Sequence, residues 1–185
     1  DSANPDAANP SGVWSYGWKK TLTDKFYLFR TPLNAPPYLN GWCNASGVPS
    51  SGHNNRSVAT TVPNIRSVIY KAHALNLHPG LEGEYAVVRF TAPVDGRYQV
   101  SGQFYAFDDN GKGTTTDVWV LANNRKTDAF SGKVDCHAGP LAASFTGHTF
   151  LLKARDTLDF QVGYGASKNY QYDSTGLSAL IEKVR

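Results

Sequence analysis

Apolar and polar residues alternate with a period of two through much of the chain, the spacing of a half-buried strand. From Tyr98 to Tyr105 the core set is Tyr98, Val100, Gly102 and Phe104. The opposite set is Gln99, Ser101, Gln103 and Tyr105. From Asp117 to Ala122, Val118, Val120 and Ala122 fall inward, with Asp117, Trp119 and Leu121 opposite. From Thr157 to Val162, Leu158, Phe160 and Val162 fall inward, while Asp159 and Gln161 point out.

Together with turn residues at regular spacing, the pattern predicts strands near 13–18, 25–30, 67–70, 85–91, 97–107, 115–122, 126–134, 145–153, 157–163 and 178–184. Asn123-Asn124 reads as a hairpin turn. No ten-residue stretch carries a strong helical period. The expected fold class is all-β: an antiparallel β-sandwich, a jelly roll of about nine or ten strands.

Two regions break the pattern. Residues 1–12 hold two Asn-Pro pairs and little apolar content, and read as a lead-in or strap ahead of a single domain over 13–185. Residues 31–64 are rich in Pro, Gly, Asn and Ser. An irregular stretch of that length in a compact domain is functional or pinned, and Trp42 and Cys43 are the candidate pins.

Composition narrows the function. Charged residues make up 18% of the chain and aromatics 12%, with a net charge of +3. Basic residues are scattered, which argues against a nucleic-acid reader. No apolar run reaches the ~20 residues of a membrane span. The absence of methionine and the opening Asp1-Ser2-Ala3-Asn4-Pro5 read as a processed chain or an excised module, secreted or at a cell surface. In that setting the two cysteines, Cys43 and Cys136, are expected to form a disulfide. No CxxC or HxxxH pattern accompanies them, so a zinc site is not supported.

The outward set suggests a ligand. Trp119, Tyr105, Gln103 and Asp117 combine rings with amide and carboxylate groups. A pyranose presents an apolar C–H face to a ring and hydroxyls to polar groups. If the two strands share a sheet, these four residues form one binding face; burial of Trp119 under the strap or the 31–64 stretch is the structural alternative. A second candidate is the 164–173 loop, where Tyr170 and Tyr172 offer contact area at low entropy cost. A third is Asp108-Asp109-Asn110-Gly111, whose oxygens suit calcium, although no glutamate completes a known loop and a solvated acidic turn explains it as well.

Catalytic signals are thin. The histidines, His53, His73, His78, His137 and His148, sit in no nucleophile or metalloprotease motif. Glutamate occurs only at 82, 84 and 182, so a glycosidase pair would have to come from aspartates. A lyase using His or Tyr as base is the other enzyme reading.

Several runs carry a resemblance. They are Leu77-His78-Pro79-Gly80, Tyr85 through Pro93, Thr116 through Leu121, Asp156 through Gly163 and Tyr172 through Leu177. Together these resemble an exported bacterial β-sandwich domain found in cell-surface and sorting-signal-bearing proteins, carbohydrate-binding-module-like. The stretch Phe90-x-x-Pro93-x-x-Gly96-x-Tyr98 is similar to the signature strand of C1q and tumour-necrosis-factor jelly rolls, and implies fold more than function.

The expectation is therefore a non-catalytic carbohydrate-binding module of an exported bacterial protein, part of a larger chain, holding a polysaccharide or surface glycan. The alternatives are a polysaccharide lyase or glycoside hydrolase, and a structural or adhesive module that binds another protein.

Overall fold

A computed structural model describes residues 3–5, 8–35, 39–62, 65–108 and 113–185. Among them run fifteen strands and no helix: β1 (Trp14–Lys19), β2 (Tyr27–Leu28), β3 (Thr31–Ala35), β4 (Leu39–Cys43), β5 (Ser50–His53), β6 (Thr60–Val62), β7 (Ile65–Tyr70), β8 (Leu75–His78), β9 (Tyr85–Thr91), β10 (Gly96–Ala106), β11 (Thr115–Ala122), β12 (Arg125–Asp135), β13 (Ala142–Leu152), β14 (Thr157–Gly163) and β15 (Thr175–Val184).

Two antiparallel sheets face each other. One runs β12-β11-β14-β9-β1-β2, the other β13-β10-β15-β8-β5-β4-β3. Within them, β8-β15-β10-β13 and β9-β14-β11-β12 are the two four-stranded sheets of a jelly roll, in which consecutive strands from β8 to β15 alternate between sheets except at the β11–β12 hairpin. The early strands extend this frame: β1 and β2 lie beside β9, and β5, β4 and β3 lie beside β8.

The inward phases meet in one core. Val88, Phe90, Val118, Val120, Leu158, Phe160 and Val162 come from the first sheet. Tyr98, Val100, Phe104, Phe145, Phe150 and Leu177 come from the second. Asn123 and Asn124 both adopt positive φ, 48° and 64°, in the tight turn joining β11 to β12. Asparagine tolerates that backbone better than most residues.

The stretch expected to be irregular is largely strand, because β3 to β6 occupy it. The lead-in is anchored: Asn9 Nδ2 donates to Tyr16 O at 2.7 Å and Phe29 O at 3.0 Å, and Tyr16 N donates back to Asn9 Oδ1 at 2.9 Å.

The disulfide expectation is corrected. Cys43 and Cys136 are both thiols. Cys43 is buried in β4, with Sγ 3.6 Å from Thr31 O. Cys136 follows β12 and donates to Asp108 O at 2.9 Å. Strand pairing with β3 and β5 orders the Cys43 segment without a covalent pin.

Both outer faces are partly roofed. Val68, Tyr70 and Ala74, from the β6–β7 hairpin and the turn after it, pack with Leu39 and Phe107 on the outer side of the second sheet. On the first sheet, the loop from Lys20 to Phe26 crosses to the β11–β12 turn, where Asn124 Nδ2 donates to Thr23 O and to Asp24 O. Beneath it lies an ion cluster. Asp159 accepts from Lys19 Nζ at 2.7 Å and from Arg89 Nε and Nη2 at 2.6 and 2.8 Å. With its amide oriented to suit its neighbours, Gln161 accepts from Lys19 Nζ at 3.1 Å and donates to Leu22 O at 3.2 Å. Asp159 and Gln161 therefore do point away from the core, as their phase requires, but the loop buries them completely.

Candidate functional site

The roof covers only one end of the first sheet's outer face. At the other end, alternation and register bring Tyr85 (β9), Asp117 and Trp119 (β11), and Ser131 and Lys133 (β12) to the same side. Trp119 stands opposite Gln161 and Ser131, and Asp117 opposite Gly163 and Lys133. Trp119 is half-buried, while Ser131 and Lys133 are exposed.

Asp117 organises this corner. Its Oδ2 accepts from the Tyr85 hydroxyl at 2.6 Å and from Trp119 Nε1 at 2.8 Å. Its Oδ1 accepts from Gly165 N at 2.9 Å. Gly165 has φ of 64°, and a Cβ there would meet Thr115 O, so glycine is what lets this amide approach. Burial lifts the Tyr85 phenol well above its ordinary range, and the hydrogen bond to Asp117 and that carboxylate's charge add to the effect. Tyr85 thus remains a donor, and the indole edge is fixed while the ring lies on the open side of the sheet.

Beside these residues is a depression of about 400 Å3, lined by Thr115, Asp117, Lys133, Asp135, His137 and Ser167 among others. Thr115 Oγ1 donates to Ser167 Oγ at 2.9 Å, which ties the 164–173 loop to β11. Asp135 Oδ1 accepts from the amides of His137 and Ala138, which hold its carboxyl below the usual range. Behind this wall lies Asp173, fully buried. Its Oδ1 accepts from Thr115 N at 2.7 Å, and its Oδ2 has no hydrogen-bond partner among the described residues. Burial pushes the Asp173 carboxyl up to about 7.

The structure separates the four residues expected to share a face. Trp119 and Asp117 are on β11 of the first sheet, whereas Gln103 and Tyr105 are on β10 of the second. Gln103 is exposed there, but Tyr105 is half-buried beneath the hairpin roof, its ring against Phe107 at 5.2 Å and under Lys71 Nζ at 4.8 Å. Tyr170 and Tyr172 are half-buried; the Tyr170 ring leans edge-on toward His78 at 6.1 Å.

Of the calcium candidates, Asp109 and Asn110 lie outside the described residues. Asp108 is buried, and its backbone oxygen accepts from Thr114 N and Cys136 Sγ. Among the described residues no group of three or more His, Cys, Asp or Glu is placed to hold a metal ion, and no helix is long and apolar enough to cross a membrane.

Sequence reasoning missed Tyr85 and Lys133. The outward phase of β9, Tyr85-x-Val87-x-Arg89, would have found the first; the second needs the register of the β11–β12 hairpin.

No protein-family model matches the chain, and no curated protein does. Three solved structures overlap it in part. The TmCBM61 module in complex with beta-1,4-galactotriose is 10% identical over 72% of this chain and 87% of its own, with a TM-score of 0.37. The CBM51 module from Clostridium perfringens GH95, in complex with methyl-galactose, is 12% identical over 82% and 92%, with a TM-score of 0.40. The enzymatically active domain of bacteriophage CBA120 tailspike protein 4 is 12% identical, covering 97% of this chain but 21% of its own, with a TM-score of 0.39. These overlaps are too slight to set fold or ligand; the strand order above stands on the hydrogen-bond ladders of this chain.

Proposed function

We propose that this jelly roll is a non-catalytic carbohydrate-binding module and that the open end of its first sheet holds the sugar. The observation that carries the reading is the Trp119 ring, fixed edge-on by Asp117 and flanked by exposed Lys133 and Ser131. A pyranose stacked on that ring would place its hydroxyls toward Lys133, Asp135, Thr115 and Ser167, and Asp117 keeps lone pairs for one more donor. Desolvating a flat C–H face against a ring supplies affinity, and the surrounding charged and hydroxyl groups supply selectivity. Tyr170 and Tyr172 belong to the loop that closes this end of the sandwich, and serve as a further contact for a longer chain.

The setting we propose is an exported bacterial protein of which this domain is one part. With Cys43 and Cys136 unbonded, that setting rests on composition and on the resemblance carried by the sequence runs. A glycan array on the purified domain, paired with assays for reducing ends and unsaturated products, tests the reading. Retention on a glycan without product release is expected. Turnover of a bound polysaccharide would replace the module with an enzyme.

A further inference from the structure

The 164–173 loop, which walls the platform, is fastened to β11 by a carboxylate at each end. At its start, Gly165 N donates to Asp117 Oδ1 at 2.9 Å. At its end, Asp173 Oδ1 accepts from Thr115 N at 2.7 Å and lies 3.3 Å from Thr115 Oγ1. The same hydroxyl is 2.9 Å from Ser167 Oγ in mid-loop, and Asp173 N donates to Tyr170 O at 3.3 Å. Thr115, Asp117, Gly165 and Ser167 all line the depression beside Trp119, so the position of the loop shapes the site.

The two carboxyl groups are satisfied unequally. Asp117 is half-buried and accepts from three donors. Asp173 is fully buried, and its Oδ2 has no hydrogen-bond partner among the described residues. The titratable groups on the surrounding elements are Asp117 on β11, Asp108 beside Thr114, and His78 against the Tyr170 ring. Lys133, Asp135 and His137 stand across the depression, and Tyr164, Lys168, Tyr170 and Tyr172 belong to the loop itself. Of these, Asp117 is the charge that acts on Asp173, and it repels; among the described residues no positive charge offsets it. A sealed carboxylate with an unused oxygen and a like charge nearby favours its protonated form.

We propose that Asp173 is a proton-operated latch on this loop. Protonated, it keeps the loop closed on Thr115. Ionised, it releases the loop, because opening lets water reach Oδ2 and moves the carboxylate away from Asp117. Closing completes the wall that Thr115 and Ser167 give the platform, so a glycan is held more tightly below neutral pH than above it. That last step rests on the platform reading; the latch does not. Burial first, and then the Asp117 charge, lift the Asp173 carboxyl to about 7 against the pull of its Thr115 hydrogen bonds. An open loop returns it to the ordinary aspartate range near ~4. The closed state therefore gains on the open one as pH falls through that window, by at most about a thousandfold.

The test uses the whole chain at pH 5 and pH 8. The Asp173 carboxyl carbon, followed by nuclear magnetic resonance, should titrate near neutrality. Amide exchange at Thr115, Gly165 and Asp173, normalised to unprotected amides at each pH, should show opening rise at least tenfold from pH 5 to pH 8. In Asp173→Asn, with its fold checked by a thermal melt, opening should be the same at both. Titration with the glycan that the array selects should give at least threefold weaker binding at pH 8 for wild type, and equal binding at the two pH values for Asp173→Asn. A carboxyl midpoint in the ordinary aspartate range overturns the latch without recourse to any variant. Opening that is independent of pH in wild type, or equally dependent in Asp173→Asn, also overturns it. Opening that follows pH while glycan affinity stays constant overturns its control of the site. A wild type that retains no glycan sinks the platform reading and that control with it, while the carboxyl and exchange data still decide the latch.

Discussion

Asp173 is a fully buried carboxyl that has no ion-pair partner among the described residues. Its folded carboxyl titrates near 7, whereas an unfolded aspartate titrates near ~4. Between these values the folded state holds more protons than the unfolded one, so stability falls as pH rises through that window and is flat above it. Asp173→Asn mimics the protonated acid, since Oδ1 can still accept from Thr115 N. It should raise the melting temperature at pH 8, leave it nearly unchanged at pH 4, and remove much of the slope between. The gain is a few kcal/mol at most, at about 1.4 kcal/mol per pKa unit. Equal shifts at both pH values would show that the carboxylate is not the cause.

Cys43 and Cys136 give a second check at this scale. Two thiols per chain should react when the protein is unfolded without reductant. Burial raises the Cys43 pKa, so in the folded protein Cys43 should react slowly. A titration finding none would restore the disulfide.

At the scale of elements, the long central strands were legible. β9, β11 and β14 match the ranges expected from alternation residue for residue, because each is long enough to repeat its pattern three times. The short strands were not. β3, β5 and β8 carry sequences such as TPLNA, SSGH and LNLH, too short or too polar to display a period. They are strands because neighbours already present a ladder to them. The candidate site was half legible for a related reason. Phase put Trp119 and Asp117 on one side of β11, but phase carries no information about which strands share a sheet, and Tyr105 and Gln103 proved to be in the other one.

The loop from Lys20 to Phe26 was invisible for a different reason. Nothing local in Asp159 or Gln161 says that an outward residue will be roofed. The roofed cluster makes its own prediction. Asp159→Ala leaves Lys19 and Arg89 without their shared acceptor, and should cost about 3–5 kcal/mol. The double variant Lys19→Met/Asp159→Leu should be less destabilised than Asp159→Ala, because Lys19 no longer stays buried without its acceptor and only Arg89, which is partly exposed, is left unpaired. Urea unfolding measures both. A double variant no better than the single would mean that the ions fix the loop through geometry rather than charge.

For the whole molecule, the jelly roll supplies two rigid sheets whose outer faces are roofed at some places and open at others, and function is argued from where they are open. The central claim is that the open end of the first sheet is a sugar platform built on Trp119. Because that ring is half-buried, Trp119→Ala should cost less than the ~3–5 kcal/mol of a core aromatic truncation. Asp117→Ala should loosen the ring and the Gly165 loop together, at about 1–3 kcal/mol for the acceptor removed. The most direct measurement is a side-by-side titration of wild type and Trp119→Ala with the glycan that the array selects, each with a thermal melt. The account predicts saturable binding by wild type, loss of it in Trp119→Ala, and melting temperatures within a few degrees of each other. Equal binding by the two proteins, or an array on which wild type retains no glycan, would contradict it.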